Sequence, residues 1–182
     1  HGIHTNDGAS WMDLLVAAFG DRGWDARKWT YGYARAVLTR WQNPGRAETL
    51  ADLIQPGDVV LGHSNGCCLA WMAAELGAPI GGAILLNPAL DRDKTMAPQV
   101  RWVNLYPNRG DRAVPLAAWF GAGDLAPHPW GAQGRDGLSV EDARYRVAWT
   151  DDGEPRAWGH SDVLSAAKIA AWSRIIEADA TA

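Results

Sequence analysis

Apolar residues along this chain recur with two periods, and their alternation predicts the architecture. Trp11, Leu14, Leu15, Ala18 and Phe19 follow helical spacing behind the capping-type run Asn6-Asp7-Gly8-Ala9-Ser10, which predicts a helix over 10–20 closed by Gly20. Trp24 to Tyr31 has the content of a strand, ended by the turn Tyr31-Gly32-Tyr33. Ala34 to Gln42 reads as a short helix or an extended loop, and Asn43-Pro44-Gly45 as a break. Arg46 to Ile54 reads as a helix through Ala47, Leu50, Ala51 and Ile54, stopped by Pro56-Gly57. Three apolar runs, Asp58 to Leu61, Ile80 to Pro88 and Val100 to Tyr106, read as strands covered on both faces. Cys67 to Leu76 supplies a helix between the first two, and Asp91 to Gln99 a polar connection between the others.

The remainder is less regular. Val114 to Phe120 reads as a short helix, and the Gly-, Pro- and Ala-rich stretch from Gly121 to Gly137 as a long surface loop carrying His128 and Trp130. Tyr145 to Thr150 reads as the last strand, Asp151 to Pro155 as a turn and Ser161 to Ala178 as a terminal helix. Strand and helix thus alternate, so the expected class is α/β: a mostly parallel central sheet with helices on both faces. With 182 residues, no internal repeat and no linker, residues 1–182 are expected to form one domain with a proper core.

Composition narrows the partners. The formal net charge is −4 and no run of like charge occurs, which disfavours a nucleic-acid partner or an anionic membrane surface. No apolar run approaches the length of a membrane span, and His1-Gly2-Ile3-His4 is not a signal pattern. The expectation is a soluble chain, placed in the cytoplasm, with secretion left open. The two cysteines, Cys67 and Cys68, are adjacent, which rules out an ordinary intrachain disulfide. Eleven tryptophans against two phenylalanines fit core and groove-lining positions.

One stretch carries chemistry. Gly62-His63-Ser64-Asn65-Gly66 lies between a predicted strand and a predicted helix, the context of a nucleophile elbow. A serine at the apex of so sharp a turn needs side-chain-free positions two before and two after it, which Gly62 and Gly66 provide. The N–H of Asn65 then falls at a helix N-terminus, where an oxyanion can be held.

A serine hydroxyl needs a base, and the base an orienting acid. His63 is too close in sequence to swing onto its neighbour, His1 and His4 lie on the opening loop, and His128 lies in the Gly/Pro loop. His160, between the last strand and the last helix, is left as the base. Asp111 follows the third apolar strand and is the first choice of acid; Asp91, with Asp93 nearby, is the second. The order Ser64, Asp111, His160 is that of the α/β-hydrolase triad.

On these residues the chain resembles the α/β-hydrolase superfamily over nearly its whole length. The features are His1-Gly2, similar to the family's oxyanion loop; Gly62-His63-Ser64-Asn65-Gly66; and Asp111-Arg112-Ala113-Val114-Pro115 with Gly159-His160. The resemblance implies Ser64 as nucleophile, His160 as general base and then acid, and Asp111 as the group fixing the imidazole. It implies an oxyanion hole from the backbone N–H groups of Ile3 and Asn65, with neither metal nor organic cofactor. No strand precedes the His-Gly pair in the given sequence, so the expectation is either a chain cut there, lacking an N-terminal strand upstream of residue 1, or an oxyanion loop held by something else. The connection from Asn87 to Val100 is too short for an inserted lid domain, which implies an open site.

The expected activity is hydrolysis of a carboxylic ester through an acyl-enzyme, with a small-molecule or acyl-ester substrate. His1, Gly2, Tyr33, Trp130 and Trp158 are candidates to line the substrate pocket. A thioesterase or amidase would use the same triad. The alternative from another class is a non-catalytic binding or scaffold module that keeps the fold.

Overall fold

Four strands pair in parallel and in chain order: β1 (Val59–His63), β2 (Gly82–Leu86), β3 (Trp102–Tyr106) and β4 (Tyr145–Val147). They belong to a computed structural model that describes residues 10–29, 42–114 and 131–150, together with His160, Ile169, Ser173 and Arg174. His63 is in register with Leu86, and Leu86 with Tyr106, so the C-terminal ends of β1, β2 and β3 lie level. The loops leaving that edge carry the polar residues of interest.

Successive side chains of a strand point to opposite faces, and the two apolar clusters follow that rule. Val60, Ala83, Leu85, Val103 and Leu105 belong to one cluster, and Val59, Leu61, Ile84, Leu86, Trp102 and Tyr106 to the other. The first is covered by Leu50 and Ala51 of α2 (Asn43–Leu53), by Ile54 just after it, and by Cys67, Cys68, Ala73 and Ala74 of α3 (Asn65–Glu75). The second is covered by Met12, Leu15 and Phe19 of α1 (Ser10–Gly20) and by helical Ile169. Helices therefore cover both faces of an all-parallel sheet, and the class is α/β. Every residue of β2 is buried, and full burial of a leucine such as Leu85 or Leu105 stabilises by about 1.5–3 kcal/mol.

Several elements differ from expectation. Leu14 of α1 is 39% exposed, and Met12 takes its place toward the sheet. Asn43-Pro44-Gly45 does not break the chain but begins α2, since proline in a helix's first turn lacks only an N–H that would have no partner there. Residues 24–29 form no strand. Trp24 folds back on α1, its N–H donating to Phe19 O at 3.2 Å and its ring meeting Phe19 edge-on, which removes it from the sheet. Within the predicted loop, Gln133–Asp136 forms a short helix, α4, with Gln133 and Gly134 buried. Strand β4 ends at Val147, although Ala148 N and Thr150 N still donate to Leu105 O and Pro107 O. Of the predicted terminal helix, Ile169, Ser173 and Arg174 are helical. The residues predicted at 30–41, 115–130 and 151–159, like the N-terminal loop, lie outside the described residues.

The connection from β2 to β3 contains no helix, yet it is not simply polar. Leu90, Met96, Ala97 and Val100 sink into the α2/α3 side of the core. Its carbonyls are capped in place: Trp71 Nε1 donates to Thr95 O at 2.9 Å, and the Arg144 guanidinium donates to the carbonyls of Met96, Ala97 and Val100 at 2.8–3.0 Å. The Tyr145 hydroxyl accepts the Met96 N–H at 2.7 Å. A buried segment without a ladder must satisfy its backbone this way.

Candidate active site

Ser64 is the single residue between β1 and α3. Its backbone stands at φ 55° and ψ −121°, in the positive-φ half that side-chain-bearing residues rarely enter. Such a residue costs about 1–3 kcal/mol and persists only where its surroundings impose it. Here its N–H donates to Leu86 O at 3.0 Å, and its carbonyl accepts from Cys67 N at 3.0 Å and Ala89 N at 3.2 Å. Strand and helix pass so closely that a Cβ on Gly62 would stand 2.8 Å from Cys67 N and 2.9 Å from Gly66 C, both backbone atoms. Only glycine fits there.

Asp111 and His160 meet at the same edge, His160 Nδ1–H donating to Asp111 Oδ2 at 2.6 Å. Asp111 is fully buried, and its other oxygen accepts the N–H groups of Ala113 at 2.9 Å and Val114 at 3.1 Å. One oxygen thus caps a turn while the other is kept for the imidazole. The Asp111 loop is braced from below: Asp111 N donates to Asn108 O, Asn108 N to Gly134 O in α4, and Gly134 N to Pro88 O. A Cβ on Gly134 would lie 2.6 Å from the carbonyl carbon of Asn87, so this glycine permits α4 to press against the end of β2. His160 Nε2 is buried and makes no hydrogen bond among the described residues. Ser64 Oγ makes no hydrogen bond to it.

Asp91, the second candidate acid, does not pair with His160. It sits beside Gly131, and burial, followed by the charge of Asp93, raises its pKa.

Two further side chains reach His160. His63 Nε2–H donates to the His160 carbonyl at 3.0 Å, and Asn87 Nδ2 donates to the same oxygen at 2.9 Å. The two imidazole rings lie 4.7 Å apart, tilted by 41°. Burial, with the neighbouring His160 ring as a lesser cause, holds the His63 pKa well below the ordinary imidazole value, so this ring is neutral. The neighbouring Cys67 thiol donates weakly to Leu86 O, and burial raises its pKa above the ordinary thiol range.

Asn65, the first residue of α3, is buried and bonded side chain to side chain with buried Asn43: Asn43 Nδ2 donates to Asn65 Oδ1 at 2.8 Å. The first turn of α2 is thereby tied to the first turn of α3. Sequence reasoning passed over Asn43, Asn87 and the contact made by His63. The one available signal, a polar residue at the end of an apolar strand, marks His63 and Asn87 but not Asn43, which opens α2. Ile3, His1, Gly2, Tyr33, Trp130 and Trp158 lie outside the described residues, so the oxyanion position opposite Asn65 and the pocket lining rest on the sequence alone. Among the described residues no group of three or more His, Cys, Asp or Glu is placed to hold a metal ion, and no helix is long and apolar enough to cross a membrane.

Comparison with protein-family models, curated proteins and solved structures gave no match.

Proposed function

We propose that the chain is a serine hydrolase of the α/β-hydrolase type that cleaves a carboxylic ester through an acyl-enzyme. The observation that carries this reading is the meeting of Asp111 and His160, 49 residues apart, at 2.6 Å beside the residue preceding a strained, buried serine. An imidazole paired to a fully buried carboxylate next to an elbow serine is the arrangement that activates a hydroxyl. The resemblance of Gly62-His63-Ser64-Asn65-Gly66 and the chain order of the three groups support the same class.

In this mechanism Ser64 Oγ bonds to the ester carbonyl carbon as its proton passes to His160 Nε2. The carbonyl π pair moves onto oxygen, where the Asn65 N–H and the positive end of α3 stabilise it; the Ile3 N–H is the proposed second donor. Losing one such donor costs about 10²–10³ in rate. The tetrahedral centre collapses, the alcohol C–O bond breaks, and His160 returns the proton to the leaving alkoxide. Water then attacks the acyl-serine, giving its proton to Nε2, and the second collapse releases the acid and restores Ser64. Throughout, Asp111 Oδ2 accepts from Nδ1–H, which keeps the lone pair on Nε2 and stabilises the transient imidazolium.

The test is hydrolysis of aryl esters of graded acyl length. The wild type should release a burst of one phenolate per chain followed by slower turnover, and Ser64→Ala should show neither. Turnover that persists in Ser64→Ala would place the chemistry elsewhere.

A further inference from the structure

We infer that His63 and Asn87 are positioning residues that clamp the His160 carbonyl from two strands and so hold the His160 ring on Asp111 with Nε2 left for the Ser64 hydroxyl. The inference rests on the hydrolase reading. A carbonyl oxygen offers two lone pairs, and here both are met by side-chain N–H donors, His63 Nε2 at 3.0 Å and Asn87 Nδ2 at 2.9 Å. The donors stand at the ends of paired strands: His63 is the last residue of β1, opposite Leu86, and Asn87 directly follows Leu86, the last residue of β2. His160, 97 residues downstream of His63, is thereby tied to the C-terminal ends of β1 and β2.

Both donors are costly to place, which argues for a specific use. An imidazole and a carboxamide are buried at the sheet's edge, where either would be unfavourable without hydrogen bonds. Asn87 also adopts φ 43°, a conformation asparagine tolerates better than most residues, and its N–H donates to Tyr106 O across the sheet. His63 is a poor rival base: the nitrogen facing His160 is its protonated one, and burial, by lowering the ring's pKa, makes the other a weak proton acceptor. Its ring face also limits rotation of the His160 ring, at 4.7 Å between centroids. His160 is therefore fixed at its carbonyl, at Nδ1 and along one ring face.

The experiment compares the full chain with His63→Leu, His63→Gln and Asn87→Gly. The readouts are the rate of Ser64 labelling by a fluorophosphonate, the low-field proton resonance of the His160 Nδ1–H, and thermal unfolding. Misplacing a catalytic group by about 1 Å can cost on the order of 100-fold. His63→Leu and Asn87→Gly should each slow labelling by roughly 10- to 100-fold and broaden or abolish the low-field resonance. His63→Gln, which restores an N–H donor, should recover most of both, a pattern that general destabilisation would not produce.

Labelling at the wild-type rate with the resonance intact in folded His63→Leu would overturn the inference, as would His63→Gln behaving no better than His63→Leu. If His63→Leu does not fold, Asn87→Gly decides by the same readouts. A wild type that never labels but loses the resonance in these variants would refute the hydrolase reading and leave the clamp standing.

Discussion

Replacing Ser64 by glycine should make the protein more stable than replacing it by alanine. Both changes remove the hydroxyl, and neither touches the backbone bonds to Leu86, Cys67 and Ala89. They differ in how they meet φ 55° and ψ −121°. Alanine keeps a Cβ and with it the strain of about 1–3 kcal/mol, whereas glycine enters that region freely. Against this, glycine gives the unfolded chain more freedom, at about 0.5–1 kcal/mol. The balance favours Ser64→Gly over Ser64→Ala by about 1 kcal/mol, which for a chain of this size raises the melting temperature by about 2–4 °C. Circular dichroism melts of the two variants under one buffer measure the difference. A Ser64→Gly that melts at or below Ser64→Ala would mean the elbow holds no strain of this kind, and the closeness of β1 to α3 would need another cause.

Other consequences follow from the same contacts. Gly62→Ala places a Cβ 2.8–2.9 Å from backbone atoms of Cys67 and Gly66; it should destabilise by about 1–3 kcal/mol in urea unfolding and impair turnover, because Ser64 moves with the helix. Asp111→Asn can still cap Ala113 and Val114 through its amide oxygen but presents N–H to N–H at His160 Nδ1. Turnover of an aryl ester should then fall by about 10⁴-fold with KM little changed. His63 carries a depressed pKa in the folded chain, so below about pH 6.5 the unfolded chain takes up a proton that the folded one refuses. Its contribution to stability is complete above that pH and declines as pH falls, by about 1.4 kcal/mol per unit, until the folded pKa is reached. Urea unfolding between about pH 5 and 7 should show a shallower decline for His63→Gln than for wild type; equal slopes would contradict a buried neutral ring.

What could be read from the sequence was whatever depends on neighbours in the chain. The apolar runs around Val59, Ile84 and Val103 declare their strands because both faces are covered, and the helix after Ser64 follows from its spacing. Glycine was the harder letter. At Gly62 it marks a close passage that the motif anticipates. At Gly134 the same residue, set among prolines and alanines, reads as loop, although it is there because α4 presses on the backbone of Asn87. Pro44 reads as a break and instead opens α2. The site divides in the same way. Motif and order single out Ser64, Asp111 and His160 as candidates, and the last two do meet, whereas the reach of His63 to a carbonyl 97 residues away and the pairing of Asn43 with Asn65 are not legible in the sequence.

The central claim is that His160, held by Asp111, activates Ser64. Incubation with a fluorophosphonate followed by peptide mass mapping tests it most directly, on wild type and on His160→Ala. A single adduct on Ser64 in the wild type that disappears in His160→Ala is the predicted result. A folded wild type that takes up no label, or one labelled on Ser64 equally with and without His160, would contradict it.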